Sequence, residues 1–395
     1  MRAVTPRRVA QALARRRERA GLLAARRSSL RPHYTFRGHG RGRLNVTVVL
    51  RDAAKPTSST YIRLYGPLSR PAFGRRVGLD IVDEKALWIS PRSTVCIVQR
   101  TAFSTRASAR HFLTEARRRG CVVVVDSDDA FSALDPAHPQ YAKQIERATI
   151  LEDVMREADE VWLSTEQLLA AHPWAAARVV RNTLDVALWQ VSPGVAEPEA
   201  VDSSPLRILY MGTTTHDGDF ALVAPVLDRL HEQFPGEFTV VVVGVARGLA
   251  DRPWMELLKP PDAAYPRFVP WLVGQAPFDI GLSPLVDSTF NRAKSDIKCL
   301  DYLAIGASPL VSDVLPYQVP ELASLVRRVP NDDDSWYAAL AGLVSGRVGL
   351  RRDAPARRRA GADYLTTRRS ADASAALLSG RIAALRAAHH RSTHP

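Results

Sequence analysis

From residue 44 onward, short runs of β-branched and other apolar residues alternate with longer stretches of helical spacing, and the alternation is played out twice. In the first series, "LNVTVVL", "STVCIVQ", "CVVVVD" and "EVWLST" lack a polar face, as expected of parallel strands covered on both sides. Between them "SARHFLTEARRRG" and "YAKQIERATILEDVMREAD" have helical spacing, the former closed by Gly120 where a helix C-cap favours glycine. Periodicity stops at "VSPGVAEPEAVDSSP", residues 191–205, whose Pro, Gly, Ser and acidic residues mark a linker. A second series follows: "LRILYMG", a helix near 217–233, "FTVVVVG", "FDIGLSPL", a helix from about 291, and "SPLVSD". The 395 residues are too many for one ordinary core. The expected architecture is therefore α/β, with two doubly wound, Rossmann-like domains over 44–190 and 206–370 facing a cleft. Residues 371–395 read as a C-terminal helix and tail, and 1–43 as an Arg-rich extension.

Composition narrows the function. No apolar run approaches the roughly 18 residues that a membrane span needs. Cys96, Cys121 and Cys299 are widely spaced in apolar surroundings, which argues against a disulfide framework or zinc cluster and for a reducing, cytoplasmic setting. The net charge of +13 is unevenly spread: residues 1–43 carry +12 and 347–395 carry +8, leaving −7 for the middle. A mildly acidic body argues against a nucleic-acid groove through the fold. The first segment reads either as a solvated tail or as an attachment to an anionic inner membrane face, which would make the protein cytoplasmic and peripheral.

The chain fills its basic positions with 48 Arg and only 6 Lys, yet "FNRAKSDIKCLDY" holds both Lys294 and Lys298. On a continuous helix, Asn291, Lys294, Ser295, Lys298 and Asp301 share one face opposite Ala293, Ile297, Leu300 and Ala304, with Asp296 on the wrong side. A surface helix with a Lys298–Asp301 ion pair would explain the spacing. The preference for lysine points instead to compact ammonium groups which, beside a hydroxyl and a helix start, suit a diphosphate.

"YPRFVPWL", "FDIGLSPLVDSTFNRAKSDIKCLDYLAIGASPLVSDVLPY" and "LYMGTTTHDGDF" resemble the C-terminal domain of bacterial glycosyltransferases of GT-B architecture, the group-1 or family-4-like class; "GCVVVVDSDDAF" and "ADEVWLSTEQL" add a weaker match in the first half. The resemblance implies a hexosyltransferase-like enzyme that takes a nucleotide diphosphate sugar as donor substrate, without a metal or other cofactor. It implies Asp301 as ribose ligand and Lys294 with Ser295 as phosphate ligands, with Lys298 and Gly212 in the same donor site. His216 stands in "GTTTHDGDF", where the class usually has Arg and Lys, and is expected to replace them as a donor and catalytic residue. The class pairs two glutamates eight positions apart; here they are Ala293 and Asp301. The missing first glutamate leaves open a non-catalytic relative that binds a sugar nucleotide or scaffolds a membrane assembly.

"VVVVDSDDAF" ends a strand with Asp126, Asp128 and Asp129. Three carboxylates suit a divalent metal, the capping of a turn, or, in a cleft, the orientation or deprotonation of an acceptor hydroxyl. The last is preferred, with Asp128 and Asp129 as catalytic candidates. The expected acceptor is a saccharide or a lipid-linked molecule, in the assembly of a surface polysaccharide or glycolipid; no nucleic-acid partner is expected.

Overall fold

A strand whose side chains are apolar on both faces is stable only inside a sheet covered on both sides. The computed structural model, which describes residues 44–136, 141–191, 203–212, 217–244 and 252–393, builds two such sheets. The first holds β1 (Leu44–Leu50), β2 (Val77–Asp83), β3 (Val95–Gln99), β4 (Val122–Ser127), β5 (Glu160–Leu163) and β6 (Ala177–Val179), in the order β2-β1-β3-β4-β5-β6. The second holds β7 (Leu206–Gly212), β8 (Phe238–Gly244), β9 (Met255–Leu258), β10 (Ile280–Ser283), β11 (Ser308–Ser312) and β12 (Arg327–Val329), in the order β12-β11-β10-β7-β8-β9. Every pairing is parallel. Successive residues of one run serve opposite layers: Val46 and Val48 join one core, Val49 the other.

Strand β2 has no counterpart in the sequence reading, because Gly78 and Asp80 interrupt its apolar run. Its last residue, Asp83, accepts from the N–H groups of Ala53 and Ala86, both at 3.1 Å, and so ties down the loop after β1.

Each order reverses once, between β1 and β3 in the first sheet and between β7 and β10 in the second. Doubly wound sheets bind ligands just beyond the carboxyl ends at such points. Tyr61 stacks on Tyr265 with centroids 5.7 Å apart, and Trp189 Nε1 donates to the Tyr265 hydroxyl at 3.0 Å, so one apolar core runs between the two sheets. The C-terminal helix Ala371–Thr393 returns to the first sheet's side, burying Ala375, Leu378 and Ile382 and sending Arg381 to the buried Glu160.

Helix Ile297–Ala304 lies unusually close to β10. The Tyr302 ring covers Gly281, where an added Cβ would come within 2.0 Å of it, and the Tyr302 hydroxyl donates to the Leu282 carbonyl at 2.7 Å. Because Cγ of a packed ring cannot move aside, Gly281→Ala is expected to lower stability by about 1–3 kcal/mol or more, read as a fall in thermal midpoint, and to weaken any ligand that depends on this helix.

Candidate functional site

On the first-sheet side, the chain after β1 passes through a helical segment whose middle, Tyr61–Tyr65, is a π-helical turn. Such turns rotate a side chain away from its ordinary direction. Here Arg63 is directed into the interior, where Nε lies 3.0 Å from both Asp126 oxygens and Nη2 is 2.6 Å from Oδ1. Gln99 Nε2 also donates to Asp126, at 3.1 Å. Burial opposes the charge on Arg63, and Asp126 outweighs burial, holding the guanidinium above its ordinary value.

Asp128 and Asp129 continue from β4 toward the opening. Asp128 accepts from Ser59 Oγ at 2.5 Å and lies 3.1 Å from Arg100 Nε, while Arg100 Nη2 donates to Asp129. Burial would raise Asp128, but Arg100, Arg63 and the Ser59 hydrogen bond prevail and hold it below the usual carboxylate range. Asp129 is pushed upward, by burial first and by repulsion from Asp128, against the attraction of Arg100 and Lys294. Arg100 has a φ of +52°, in the left-handed region that a non-glycine residue rarely adopts, and its N–H donates to the Asp126 carbonyl at 2.7 Å.

On the second-sheet side, β7 and β8 end in the facing glycines Gly212 and Gly244. Gly244 has a φ of +105°, and a Cβ there would lie 1.9 Å from the Gly212 carbonyl oxygen, so bare backbone floors the opening. The continuous helix expected from about 291 is replaced by two: Thr289–Arg292 and Ile297–Ala304. Tertiary contacts break the helix between them. Ala293 is buried against the first domain's core, and its carbonyl accepts from Thr165 Oγ1 at 3.0 Å. Asp296 receives both Nη atoms of Arg369 at 2.6 Å, which explains a carboxylate that helical spacing had put on the wrong side. Asn291 is drawn inward, donating to the Val286 carbonyl at 2.9 Å and to Asp219.

Lys294 and Ser295 therefore stand on the loop before the helix, while Lys298 and Asp301 sit one turn apart on it. Lys294 Nζ is buried without a hydrogen-bond partner, 5.2 Å from the centre of the Phe290 ring; burial lowers its proton affinity against the pull of Asp219 and Asp129. Lys298 donates to the Met211 carbonyl. Burial pushes Lys298 down to about 8 and Asp301 up to about 7, in each case against the attraction between them. Asp301 Oδ1 is buried and has no hydrogen-bond partner.

These groups converge. One cavity of about 600 Å³ is lined from the first-sheet side by Ser59, Arg100, Asp128, Asp129 and Asn182, and from the second by Gly212, Gly244, Lys294, Ser295, Lys298 and Asp301. Of the expected site residues, Asp128, Asp129, Gly212, Lys294, Ser295, Lys298 and Asp301 all line it; His216 lies outside the described residues. Asp126 does not, because Arg63 holds it in the interior. Among the described residues, no group of three or more His, Cys, Asp or Glu is arranged to hold a metal ion. The sequence reading missed Ser59, Arg63, Arg100 and Asn182. Arg100, directly after the run "VCIVQ", follows the rule that ligand-facing residues sit just past a strand.

The chain is similar in three dimensions to a sucrose-phosphate synthase from Thermosynechococcus elongatus, at 13% sequence identity and a TM-score of 0.59, over 88% of this chain and 100% of that one. It is also similar to a trehalose-6-phosphate protein from E. coli bound with UDP-2-fluoro glucose, at 12% identity and a TM-score of 0.55, over 87% and 99% of the two chains. Anabaena HepE in complex with UDP gives 10% identity and a TM-score of 0.56, over 87% and 100%. The fold is GT-B. No protein-family model and no curated protein matches the sequence. At these identities the likeness is one of architecture, and the GT-B arrangement accounts for the facing sheets and the cavity between them.

The Lys298–Asp301 pair can be tested in the free protein. A carboxyl raised by burial adds stability that is full below its unfolded range near pH 4 and is lost as the pH climbs through about 7. Lys298→Met removes the attraction that opposes burial, so Asp301 is expected to titrate above about 7, read by carbon NMR of its carboxyl. An unchanged or lower midpoint would show that the two do not interact.

Proposed function

We propose that the protein is a metal-independent, hexosyltransferase-like glycosyltransferase that moves a sugar from a nucleotide diphosphate sugar to a saccharide or lipid-linked acceptor. The observation that carries this reading is the buried Lys294 ammonium, which has no hydrogen-bond partner, beside Ser295 and the Lys298–Asp301 pair, at the carboxyl end of the second sheet. A buried ammonium without a hydrogen bond is costly, and an anionic ligand that accepts from it lowers that cost. The UDP-2-fluoro glucose and UDP held by two structural neighbours support a nucleotide sugar as the ligand class.

In this reading Asp301 accepts from the ribose hydroxyls. Lys294, Ser295, Lys298 and the first N–H groups of helix Ile297–Ala304 neutralise the negative charge that grows on the departing diphosphate. Gly212 and Gly244 let the donor approach bare backbone, and His216 belongs to this set on sequence grounds. Across the cavity, Asp128 and Asp129 orient the acceptor hydroxyl, and Asp129, the carboxylate that burial makes more basic, takes its proton. The two domains exclude water that would otherwise hydrolyse the donor. We place the activity in the assembly of a surface polysaccharide or glycolipid in the cytoplasm, with residues 1–43 attaching the protein to an anionic inner membrane face. Among the described residues no helix is long and apolar enough to cross a membrane. Sedimentation of the full chain with anionic vesicles, abolished by salt, tests that attachment.

One observation favours a second reading, a non-catalytic sugar-nucleotide binder: Ala293 occupies the position of the class's first glutamate and is buried against the first domain. Binding without donor hydrolysis or transfer to any acceptor in a broad panel would favour it. The catalytic reading is tested by sugar transfer from nucleotide sugars, with and without chelator; activity that a chelator removes and manganese restores would overturn the metal-independent mechanism.

Lys294→Ala is expected to weaken nucleoside diphosphate binding by about 1.5–3 kcal/mol, while affinity for the nucleoside is kept, because the ammonium meets phosphate and not base or ribose. Equal losses for both ligands, measured by calorimetric titration, would remove Lys294 from the diphosphate site. Asp129→Asn is expected to lower turnover at least a hundredfold, within the span ascribed to general bases, with donor affinity intact.

A further inference from the structure

The donor-side loop is held from the first sheet by a polar chain whose direction is fixed by chemistry. Arg63 has only donors. Its Nη1 donates to the Val180 carbonyl and to Asn182 Oδ1, both at 2.8 Å. The amide oxygen of Asn182 is thereby committed, and its Nδ2 must be the atom that faces Ser295 Oγ, at 2.8 Å. Nδ2 donates, so Ser295 Oγ accepts there. The hydroxyl hydrogen of Ser295 is left to point away from Asn182, on a residue that lines the cavity. Asn182 is only 4% exposed, and its carbonyl accepts from Arg369 Nε at 3.0 Å, while the other nitrogens of Arg369 grip Asp296 in the same loop. Neither end of the chain is free to turn over.

We propose that Asn182 is a positioning residue for the donor site: carried by the first domain, it sets the polarity of Ser295 so that this hydroxyl of the second domain serves as a hydrogen-bond donor to an anionic ligand in the cavity. The proposal rests on the reading of that cavity as a nucleotide diphosphate site. It makes anion recognition on the second sheet depend on a side chain that follows the last strand of the first. The Ser295 hydroxyl is poised only while the two domains are seated on each other.

The isosteric Asn182→Asp reverses the chain. Its carboxylate still accepts from Arg63 but now also accepts from Ser295, which turns the hydroxyl hydrogen away from the ligand. The full-length chain, the single variants Asn182→Asp and Ser295→Ala, and the double variant are titrated with UDP, GDP and ADP and with the matching nucleosides. For whichever diphosphate the wild type binds, Asn182→Asp is expected to weaken binding at least tenfold while leaving nucleoside affinity within twofold. In the Ser295→Ala background the same substitution is expected to cost at least threefold less, since only the added charge remains to be felt. An equal loss in both backgrounds, or an equal loss for the nucleoside, overturns the proposal. Should Asn182→Asp fail to fold, Ser295→Thr and Ser295→Ala carry the test. Thr keeps the hydroxyl and should keep diphosphate affinity, Ala should lose about tenfold, and an Ala variant equal to wild type overturns the proposal. If the wild type binds none of the three diphosphates, the nucleotide reading itself falls and this proposal with it; wild-type binding with an unaffected Asn182→Asp overturns this proposal alone.

Discussion

The buried Arg63–Asp126 pair is the contact on which the first half of the site depends. Both side chains are about 1% exposed, and three hydrogen bonds join them. Loss of one partner from such a pair leaves an unpaired charge in the interior, at a cost of about 3–5 kcal/mol. Through this pair, the π-helical turn after β1 is fixed to the end of β4, and the free nitrogen of Arg63 reaches the segment after β6. Three separate carboxyl ends of the first sheet are thus held in register by one guanidinium. Asp128 and Asp129, two and three residues beyond Asp126, take their direction from that anchor.

The two walls of the cavity differ in how their charges are satisfied. On the first-sheet side, Arg100 and Ser59 engage Asp128, and Arg100 also engages Asp129, so those carboxylates are placed before any ligand arrives. The second-sheet side leaves Lys294 Nζ and Asp301 Oδ1 without hydrogen-bond partners, whereas Asp128 Oδ1, which also lacks one, is at least met by the Arg100 guanidinium. Buried polar groups are almost always paired, so each exception calls for a physical explanation.

The break in the helix at residues 293–296 reconciles these demands with the seating of the domains. An unbroken helix would have shown Lys294 and Ser295 to the same side as Lys298 and Asp301, yet it would have denied the Ala293 carbonyl to Thr165 and the Asp296 carboxylate to Arg369. The loop makes those two cross-connections and still leaves the lysine and serine facing the cavity. Gly281 under the Tyr302 ring lets the remaining helix pack close against β10, and Lys298 reaches the Met211 carbonyl near the end of β7.

The sequence by itself determined the two parallel sheets, because β-branched runs with no polar face are stable only between two helical layers, and that constraint is local and repeated. It also singled out Asp128 and Asp129, which directly follow a strand, and Lys294 and Lys298, two of only six lysines, while Ser295 and Asp301 were drawn in by the resemblance to GT-B glycosyltransferases. Strand β2 escaped, since Gly78 and Asp80 hide it from any rule of apolar runs, and so did the short edge strands β6, β9 and β12, whose three or four residues are too few to show a pattern. What only the tertiary structure decided was pairing over long separations. Arg63 is one arginine among 48, and nothing near it in the chain tells it from a solvated one; its role arises because the π-turn brings it to Asp126, 63 residues away. The same holds for Asn182, which meets Ser295 across 113 residues, and for Asp296, which a helical wheel misplaced because its partner Arg369 belongs to the return of the chain. Helical and strand periods report which face of an element is buried. They carry no information on which distant polar group will be waiting there, and in this protein those long-range polar pairs set the geometry of the site.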